Sequence, residues 1–331
     1  MERHMVVEAT AVERAERVSR AIGREVYVKR DDRTHAVYGG NKIRKLVHLL
    51  SHARSRGATD LVTIGAVGSH HVLATTVHGR AAGFDVHAVL APQPFTAHVE
   101  QTVRADIAQH AHLVAARGAW EVPWRVAATM LALRRAGRRP YLIPIGGSSP
   151  RGAMGYVDAT RELAAQVSSG SAPSPDLMVC ALGSGGTHAG LLGGIAATGL
   201  SARMVGVRVT DAWMVSRVAV AWMARGAARM AGSRVSVGAR AVVIDHGHVG
   251  KGYGHPTDEA RRALELFAED GIALDLTYTA KAAAGLLAIA REGPARATNL
   301  FWHTLSSAPM APLLEGAPDG VPGALDALML R

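Results

Sequence analysis

Cysteine is nearly absent from this chain. Cys180 is the single cysteine among 331 residues, so an internal disulfide cannot form. It lies within the apolar run 177–182, where we expect a buried, unreactive thiol rather than a nucleophile. Disulfides belong to oxidising compartments, and a chain without them is typical of the cytoplasm. The cysteine content therefore predicts a cytoplasmic protein.

Long apolar runs are also absent. No stretch reaches the ~18 apolar residues that are needed to cross a bilayer. The first residues carry charged side chains at Glu2, Arg3 and Glu8 in place of the apolar core of a signal peptide. The sequence predicts neither a membrane-spanning segment nor secretion.

Basic runs and aromatic residues are scarce as well. The formal net charge is +10, but aromatic residues make up only 5% of the chain. The basic residues occur singly or in pairs, as at 134–135, 138–139 and 261–262. Nucleic-acid-binding proteins instead cluster basic residues on one face and often add aromatic side chains for stacking. We interpret the charge as a solvated, arginine-rich surface and predict no nucleic-acid partner.

Two kinds of catalytic centre lack their signatures. The G-x-S-x-G turn of the serine hydrolases does not occur. His246, His248 and His255 are close in sequence to Asp245, but no cysteine pair or further carboxylate completes the spacing of a metal site. We predict no bound metal.

What the sequence does contain is a regular alternation of apolar strands and amphipathic helices. With 48% hydrophobic residues the chain can bury a large core, and its length favours two domains. Strands are predicted at 25–29, 60–64, 84–90, 141–143, 177–182, 204–209, 242–244 and 299–302. Helical patterns separate most of these strands, so the sequence predicts an α/β fold with parallel-type sheets flanked by helices.

The most informative stretch is YGGNK at 38–42. Its two glycines allow a tight turn or a close backbone approach. Asn41 is a good N-cap, and apolar residues then recur at helical spacing up to Gly57. Lys42 therefore lies in the first helical turn, where the helix dipole and a water-poor site would lower its pKa and make its amine a nucleophile. Taken alone, such a lysine is more often a solvated surface residue.

A family resemblance favours a nucleophilic role for Lys42 over that of a surface residue. VKRDD at 28–32, followed by GGNKIRKL at 39–46, resembles the signature of the aminocyclopropane-carboxylate deaminase and D-cysteine desulfhydrase family. Further motifs follow in the same order between about residues 26 and 310. The resemblance implies that Lys42 carries pyridoxal 5'-phosphate (PLP) as a Schiff base, with Asn41 beside it in the cofactor site.

The same resemblance implies a two-domain, tryptophan-synthase-β-like fold, known as PLP fold type II. Residues 1–45 and 156–331 would form a large cofactor-binding domain, and residues 46–155 a smaller inserted α/β domain. A small amino acid is the implied substrate, and a homodimer is the implied assembly.

A second glycine-rich stretch, GSGGTH at 183–188, stands between a predicted strand and a predicted helix. Backbone N–H groups of such a loop, together with the positive end of the helix, bind anions. Taken alone, the stretch lacks the lysine of a Walker loop and the dinucleotide spacing, so a tight turn is the simpler interpretation. It resembles the family's loop for the cofactor phosphate, which implies that role for Gly183, Ser184, Gly185, Gly186 and Thr187.

The residues Ser69, His70 and His71 open another predicted helix. The family usually has Ser-Asn-His here, with the serine near the substrate carboxylate and the asparagine bonded to the ring hydroxyl of the cofactor. The resemblance implies that Ser69 acts in catalysis, that Ser69 and His71 bind the substrate, and that His70 replaces the asparagine. Histidine can donate to a phenolate oxygen, but its bulk and titration differ from those of asparagine. The alternative is that these are helix-surface histidines.

Two tyrosines lie in further family-like segments. GYGHPT at 252–257 resembles G-Y-G-I-P-T, and LDLTYTAKA at 274–282 resembles L-D-P-V-Y-T-G-K-A. The resemblance implies that Tyr253 and Tyr278 reach the substrate pocket, where a phenol orients a carboxylate or carries a proton. From the residues alone, both fit equally well as core tyrosines.

The expected partner of the cofactor's pyridine nitrogen separates the branches of the family. The deaminase branch has Glu after the second tyrosine, where this chain has Thr279. A hydroxyl leaves the ring neutral, which favours β-elimination. FWHT at 301–304 resembles the family's F-I-H-T-G-G. In the desulfhydrases the threonine of this motif bonds the pyridine nitrogen of the cofactor. The resemblance therefore implies that Thr304 is the partner of that nitrogen. The glycines are replaced by residues 305–307, LSS.

The sequence therefore predicts a PLP-dependent carbon–sulfur lyase or deaminase of amino-acid metabolism. It is most similar to D-cysteine desulfhydrase, in which α,β-elimination gives pyruvate, ammonia and sulfide. Aminocyclopropane-carboxylate deaminase is an alternative, as is a divergent PLP enzyme that catalyses β-replacement or racemisation. Lys42 and the loop 183–187 disfavour a non-enzymatic binding protein.

Overall fold

The structure, a computed structural model, describes residues 6–330. The charged residues Glu2 and Arg3 and the first part of the predicted large domain lie outside the described residues. Within this range the chain alternates between strands and helices, as the apolar pattern predicts. The bounds of these elements are given next.

The strands follow one another along the whole described chain. They are β1 (Val12–Arg14), β2 (Glu25–Lys29), β3 (Asp60–Ala66), β4 (Asp85–Ala91), β5 (Gln93–Pro94), β6 (His112–Ala115), β7 (Pro140–Leu142), β8 (Leu177–Leu182), β9 (Arg203–Arg208), β10 (Val243–Asp245), β11 (Thr298–Trp302) and β12 (Met329–Leu330).

The helices lie between the strands. They are α1 (Glu16–Ile22), α2 (Asn41–Ser55), α3 (His70–Ala81), α4 (Ala97–Ala108), α5 (Val122–Arg135), α6 (Pro150–Ser168), α7 (Gly186–Thr198), α8 (Arg217–Met230), α9 (Asp258–Ala268), α10 (Thr279–Glu292) and α11 (Gly323–Asp326).

The described chain divides into two compact units. The large unit comprises Glu8–Lys45 and Ser148–Ser307, and the small unit comprises the described residues of 1–7, 46–147 and 308–331. The predicted domain boundaries differ from these units at three places. Residues 6–7 belong to the small unit rather than the large one. Residues 148–155 belong to the large unit, in which helix α6 begins at Pro150. Residues after 307 belong to the small unit because β12 pairs with β5.

The large unit contains a six-stranded sheet in the order β1-β2-β11-β8-β9-β10. Only the pairing of β1 with β2 is antiparallel, and the other strand pairs are parallel. Successive side chains of a strand point to opposite faces, and both faces of this sheet are covered. Trp302 packs with α6, α7 and α8 on one face, while Phe301 packs with α9 and α10 on the other. A parallel sheet buried on both faces explains the continuous apolar runs of its strands.

The small unit contains a four-stranded parallel sheet in the order β6-β4-β3-β7. Leu90 of β4 packs in a cluster with Val103 of α4 and Met329 of β12. Val89, the neighbour of Leu90, packs on the opposite face with Val126 of α5. The chain end is therefore part of the core of this unit.

A buried charge network joins the elements around the lysine turn in the large unit. Asp31 is 0% exposed. Its carboxylate accepts hydrogen bonds from Arg44 at 2.9 and 2.7 Å, from Tyr156 at 2.8 Å, from Trp302 at 2.7 Å and from Thr10 at 2.9 Å. A buried carboxylate with this many donors fixes the orientation of the elements that supply them.

The neighbouring residues of the VKRDD segment are also paired. Lys29 forms an ion pair with Glu162, which also accepts from Arg44 at 3.0 Å. Arg30 donates to Asp32 at 2.9 and 2.8 Å. The charges of this segment thus form buried pairs that tie β2 to α2 and α6, rather than a solvated face.

One local prediction needs correction. Asn41 is the first residue of α2 rather than its N-cap, because its side chain bonds elsewhere.

Cys180 is fully buried, and burial raises the pKa of its thiol to about 12, as expected of an inert cysteine. Within residues 6–330 we find no helix with the length and apolar content that a membrane span requires. In the same range, groups of three or more potential metal ligands do not occur. His248 instead lies 2.6 Å from Asp245, and His246 accepts from Arg208 at 2.9 Å.

Candidate active site

The predicted site residues of the large unit follow the carboxyl ends of neighbouring strands. The lysine turn follows β2, Thr304 follows β11, and the loop 183–187 follows β8. The loop that carries Tyr253 follows β10. These strands are parallel members of one sheet, so their carboxyl ends meet at the same edge. Ligands of open α/β sheets bind at such an edge.

The two glycines before Lys42 are required by close backbone approach. A Cβ on Gly39 would lie 2.6 Å from the Asp32 carbonyl oxygen, and a Cβ on Gly40 would lie 2.6 Å from the Thr304 carbonyl oxygen. Gly40 also has φ +81°, in the left-handed region. The N–H of Asn41 donates to the Thr304 carbonyl at 3.1 Å. The turn is thus held against the segment that follows β11.

The side chain of Asn41 links Lys42 to the glycine-rich loop. Its Oδ1 accepts from Lys42 Nζ at 2.6 Å, and its Nδ2 donates to the Thr187 hydroxyl at 3.0 Å. Asn41 and Thr187 are buried. The Asn41 side chain therefore bridges two motifs, and its bond to Thr187 spans 146 positions of the sequence.

Lys42 is electrostatically unusual. Burial lowers the pKa of its amine from 10.5 to about 8, and the Asp275 carboxylate opposes part of this shift. The position in the first turn of α2 acts in the same direction as burial, because the amide end of a helix repels a cation. A lowered pKa raises the neutral, nucleophilic fraction of the amine at physiological pH.

This pKa can be tested on the protein without any cofactor. We expect trace labelling of Lys42 by acetic anhydride to rise with pH around a midpoint near 8, because only the neutral amine reacts. The measurement is mass spectrometry of the labelled peptides across pH, with the exposed Lys251 as the internal reference. A midpoint near 10.5 for Lys42 would contradict this account of its surroundings.

The loop 183–187 has the geometry of an anion site. Gly185 has φ +86° and occupies the N-cap position of α7, where it offers no side chain to the first N–H groups of the helix. The N–H of Gly186 donates to Ser148 Oγ at 3.1 Å, and this hydroxyl lies 2.8 Å from that of Ser184. Hydroxyls and amide N–H groups converge here at the positive end of a 13-residue helix.

Tyr253 and Tyr278 form a pair. Their hydroxyls are 2.7 Å apart, and their rings meet edge to face with centroids 5.7 Å apart. Burial raises the pKa of Tyr253 to about 12 and that of Tyr278 well above its ordinary value. Both phenols are therefore protonated at neutral pH. A Cβ on Gly183 would lie 3.5 Å from the Tyr278 ring, which places this pair beside the glycine-rich loop.

Asp275 organises the segment that leads into α10. Its carboxylate accepts from the N–H groups of Thr277 at 3.0 Å, Tyr278 at 2.7 Å and Thr279 at 3.0 Å. The Thr279 hydroxyl also donates to Asp275 at 2.7 Å. Thr279 is buried, and its hydroxyl is engaged in this local structure.

The residues that replace the family's glycines contact the lysine turn. Ser306 Oγ accepts from the Gly39 N–H at 2.9 Å. Ser307 donates to the Asp32 carbonyl through its N–H at 3.0 Å and through its hydroxyl at 3.1 Å. Thr304, just before them, is buried, with its carbonyl bonded to Asn41. The serines therefore hold the turn that carries Lys42.

Ser69, His70 and His71 belong to the small unit. Ser69 is the N-cap of α3, with its hydroxyl accepting from the His71 N–H at 3.2 Å. His71 lies 3.0 Å from the Thr63 hydroxyl, and His70 Nε2 lies 3.1 Å from His98 Nε2. His71 is buried, so it is not a helix-surface histidine. The roles of the three residues toward substrate and cofactor stay predictions.

Comparison with known proteins identifies the family. The sequence profile of the family described as "Pyridoxal-phosphate dependent enzyme" matches residues 4–304. This chain belongs to that family. The enzyme is 35% identical over 297 residues to a putative 1-aminocyclopropane-1-carboxylate deaminase of Pyrococcus horikoshii, covering 89% of this chain and 88% of the relative. It is also 35% identical over 288 residues to a D-cysteine desulfhydrase of Yersinia pestis, covering 86% of each chain.

A solved structure agrees with these sequence relatives. A crystal structure described as an aminocyclopropane-carboxylate (ACC) deaminase homologue matches with a TM-score of 0.80 at 33% identity, covering 94% of each chain. The predicted family, the fold type, the PLP cofactor and the enzyme class are therefore confirmed.

The residues present fit this cofactor. PLP needs a site for its phosphate dianion and an amine for its aldehyde. The helix end behind Gly185 and the hydroxyls of Ser184 and Thr187 suit the phosphate. The half-buried amine of Lys42, with its lowered pKa, suits the aldehyde.

Sequence reasoning missed several residues that shape this site. Ser148 and Lys281 gave no usable signal, because their partners are distant in sequence. Asp275 did carry a sequence signal, since an aspartate shortly before a predicted helix is a typical capping residue. The contact of Ser306 with Gly39 is visible only once the fold brings the two loops together.

Proposed function

We propose that this enzyme is a PLP-dependent lyase most similar to D-cysteine desulfhydrase, which converts a small amino acid to pyruvate and ammonia with loss of its β-substituent. The observation that carries the proposal is the bridge of Asn41 between the Lys42 amine and Thr187. It supports a cofactor attached to Lys42 with its phosphate in the loop 183–187. The large unit is then the cofactor-binding domain.

Bound PLP supplies an electron sink for the pair of electrons left when the substrate's α-proton is removed. Lys42 Nζ accepts that proton, because a lowered pKa leaves a useful fraction of the amine neutral. The protonated phenols of Tyr253 and Tyr278 donate hydrogen bonds to the substrate or move a proton to the departing group. Asn41 fixes the position of the amine.

The choice of reaction rests on the partner of the pyridine nitrogen. The Thr279 hydroxyl is engaged with Asp275, which supports Thr304 as that partner. A hydroxyl partner leaves the pyridine neutral, and a neutral ring suits elimination of a good leaving group such as a thiol. We therefore favour D-cysteine over aminocyclopropane-carboxylate.

We propose that Ser69 and His71 contact the substrate and that His70 takes the place of the family's asparagine toward the cofactor's ring hydroxyl. His70 is the residue most able to change the reaction, because an imidazole is bulkier than the family's amide and offers ring nitrogens in place of an amide oxygen and NH2 group. A divergent β-replacement or racemisation is the alternative that this substitution favours.

The test is turnover by the PLP-loaded enzyme with D-cysteine, L-cysteine and aminocyclopropane-carboxylate in separate assays. We expect pyruvate, ammonia and sulfide in equal amounts from D-cysteine and no α-keto acid from aminocyclopropane-carboxylate. Formation of 2-oxobutyrate from the cyclopropane substrate would instead support ACC deaminase, the activity named for the Pyrococcus relative. No α-keto acid from any substrate would favour the divergent reactions.

We also propose a cytoplasmic homodimer. The single, buried Cys180 supports a reducing compartment. Val218 and Trp222, four residues apart on one face of α8, are 70% and 59% exposed, and Trp213 in the turn before α8 is 73% exposed. Large apolar side chains grouped on one surface are typical of protein interfaces, and sedimentation of the wild type against Trp222→Glu tests this assignment.

A further inference from the structure

The loop that carries Tyr253 has few internal constraints. Gly250, Gly252 and Gly254 all have positive φ, at +62°, +123° and +78°. The backbone bonds within the loop are long, at 3.4 Å from the Gly252 N–H to the Val249 carbonyl and 3.4 Å from the His255 N–H to the Gly252 carbonyl. Glycines with positive φ leave a loop many accessible conformations, so this loop needs an external anchor.

Lys281 is that anchor. Its side chain is completely buried, and its Nζ donates to the Val249 carbonyl at 2.8 Å and to the Gly252 carbonyl at 2.9 Å. The second carbonyl belongs to the residue directly before Tyr253. A buried ammonium is costly to desolvate, and these short bonds to two carbonyls offset that cost.

The same helix holds the other end of Tyr253. Tyr278 precedes α10 and Lys281 lies in its first turn, three residues later, so their side chains lie on the same face. Tyr278 bonds the Tyr253 hydroxyl at 2.7 Å, while Lys281 bonds the backbone next to Tyr253. Residues at the start of α10 thus hold Tyr253 at two points, its hydroxyl and the backbone next to it.

The charges around Lys281 indicate that its ammonium group has a structural role. Burial lowers the pKa of Lys281, and Asp275 and Asp211 oppose the shift. Its partners within hydrogen-bond distance are neutral carbonyls, so the ammonium binds the loop rather than a carboxylate.

We propose that Lys281 is a positioning residue that holds the loop 249–254 so that the Tyr253 hydroxyl meets Tyr278 in the active site. The expected effect on kcat/KM rests on the proposed function. The expected effect on the loop 249–254 does not, because it can be measured without turnover. Lys281 acts through Tyr253 and does not itself touch the substrate.

The first readout is hydrogen exchange of the intact, PLP-loaded protein. We expect Lys281→Met to accelerate exchange of the peptide spanning 249–256 by about 10-fold, because two hydrogen bonds to this loop are lost. Peptides from 177–187 should be unchanged. Lys251→Met is the matched control, since Lys251 is an exposed lysine of the same loop, and it should leave exchange at the wild-type rate.

The second readout is a double-mutant cycle with Tyr253→Phe. We expect Lys281→Met to lower kcat/KM by about 10-fold in the wild-type background, but by less than about 2-fold in the Tyr253→Phe background. A lysine that only stabilised the fold would lower kcat/KM by the same factor in both backgrounds. If Lys281→Met does not fold, Lys281→Gln, which keeps an amide donor, is compared in the same two backgrounds instead.

Equal factors in both backgrounds, or unchanged exchange of the loop 249–256 in Lys281→Met, would overturn the proposal. A wild type that turns over none of the amino acids tested contradicts the proposed function instead. In that case the hydrogen-exchange comparison still decides whether Lys281 holds the loop.

Discussion

Replacing Lys42 with alanine is expected to abolish both the visible absorption of the PLP-loaded enzyme and its turnover. The side chain is the proposed attachment point of the cofactor and the proposed base for the α-proton. Loss of a positioned base alone costs about 100-fold to 10,000-fold in rate, and loss of the covalent attachment adds to this. Turnover and absorption spectra of Lys42→Ala after incubation with excess PLP measure the effect.

The matched control for this variant is Lys251→Ala, which removes an exposed lysine from the same unit. It should keep the absorption band and the wild-type turnover. A Lys42→Ala protein that keeps the band in its original position would show that another amine holds the cofactor. The buried lysines Lys45 and Lys281 would then be the candidates.

The second large effect concerns stability. We expect Asp31→Asn to lower the free energy of unfolding by about 3–5 kcal/mol, because it leaves the buried guanidinium of Arg44 without its main carboxylate partner. The amide that replaces the carboxylate also presents N–H donors to Tyr156 and Trp302, which are themselves donors. Urea denaturation of the cofactor-free proteins measures the difference.

Asp158→Asn in α6 is the matched control. It removes an exposed carboxylate that is paired with Arg161 at 3.1 Å, and such surface pairs contribute about 0–1 kcal/mol. A loss from Asp31→Asn as small as the loss from Asp158→Asn would contradict the role assigned to Asp31.

The pH dependence of this effect has a definite sign. Burial by itself would raise the pKa of Asp31, but Arg44 and Lys29 lower it below its ordinary value. A carboxylate with a lowered pKa contributes stability above its unfolded-state pKa and loses it as the pH falls through the folded-state pKa. The difference between wild type and Asp31→Asn should therefore be complete at neutral pH and shrink below about pH 4.

The parts of this enzyme that sequence patterns could predict are local. Apolar strands followed by glycines and a helix predicted the loop 183–187, and glycines before an amphipathic helix predicted the turn that carries Lys42. Both motifs lie within about ten residues of chain, so local rules for glycine and helix ends describe them.

The parts that could not be predicted depend on partners that are distant in the sequence. The charges of VKRDD gave no sign that Asp31 would meet Tyr156 and Trp302, which lie 125 and 271 positions away. The pairing of β12 with β5 assigned the chain end to the small unit for the same reason.

The central claim is that one amine, that of Lys42, holds the cofactor. Reduction of the PLP-loaded enzyme with borohydride, followed by peptide mapping, locates the modified lysine. The account predicts that the pyridoxyl group is found on the peptide containing Lys42 and on no other. A pyridoxyl group on Lys45 or Lys281, or no modified peptide from a protein that has taken up PLP, would contradict it.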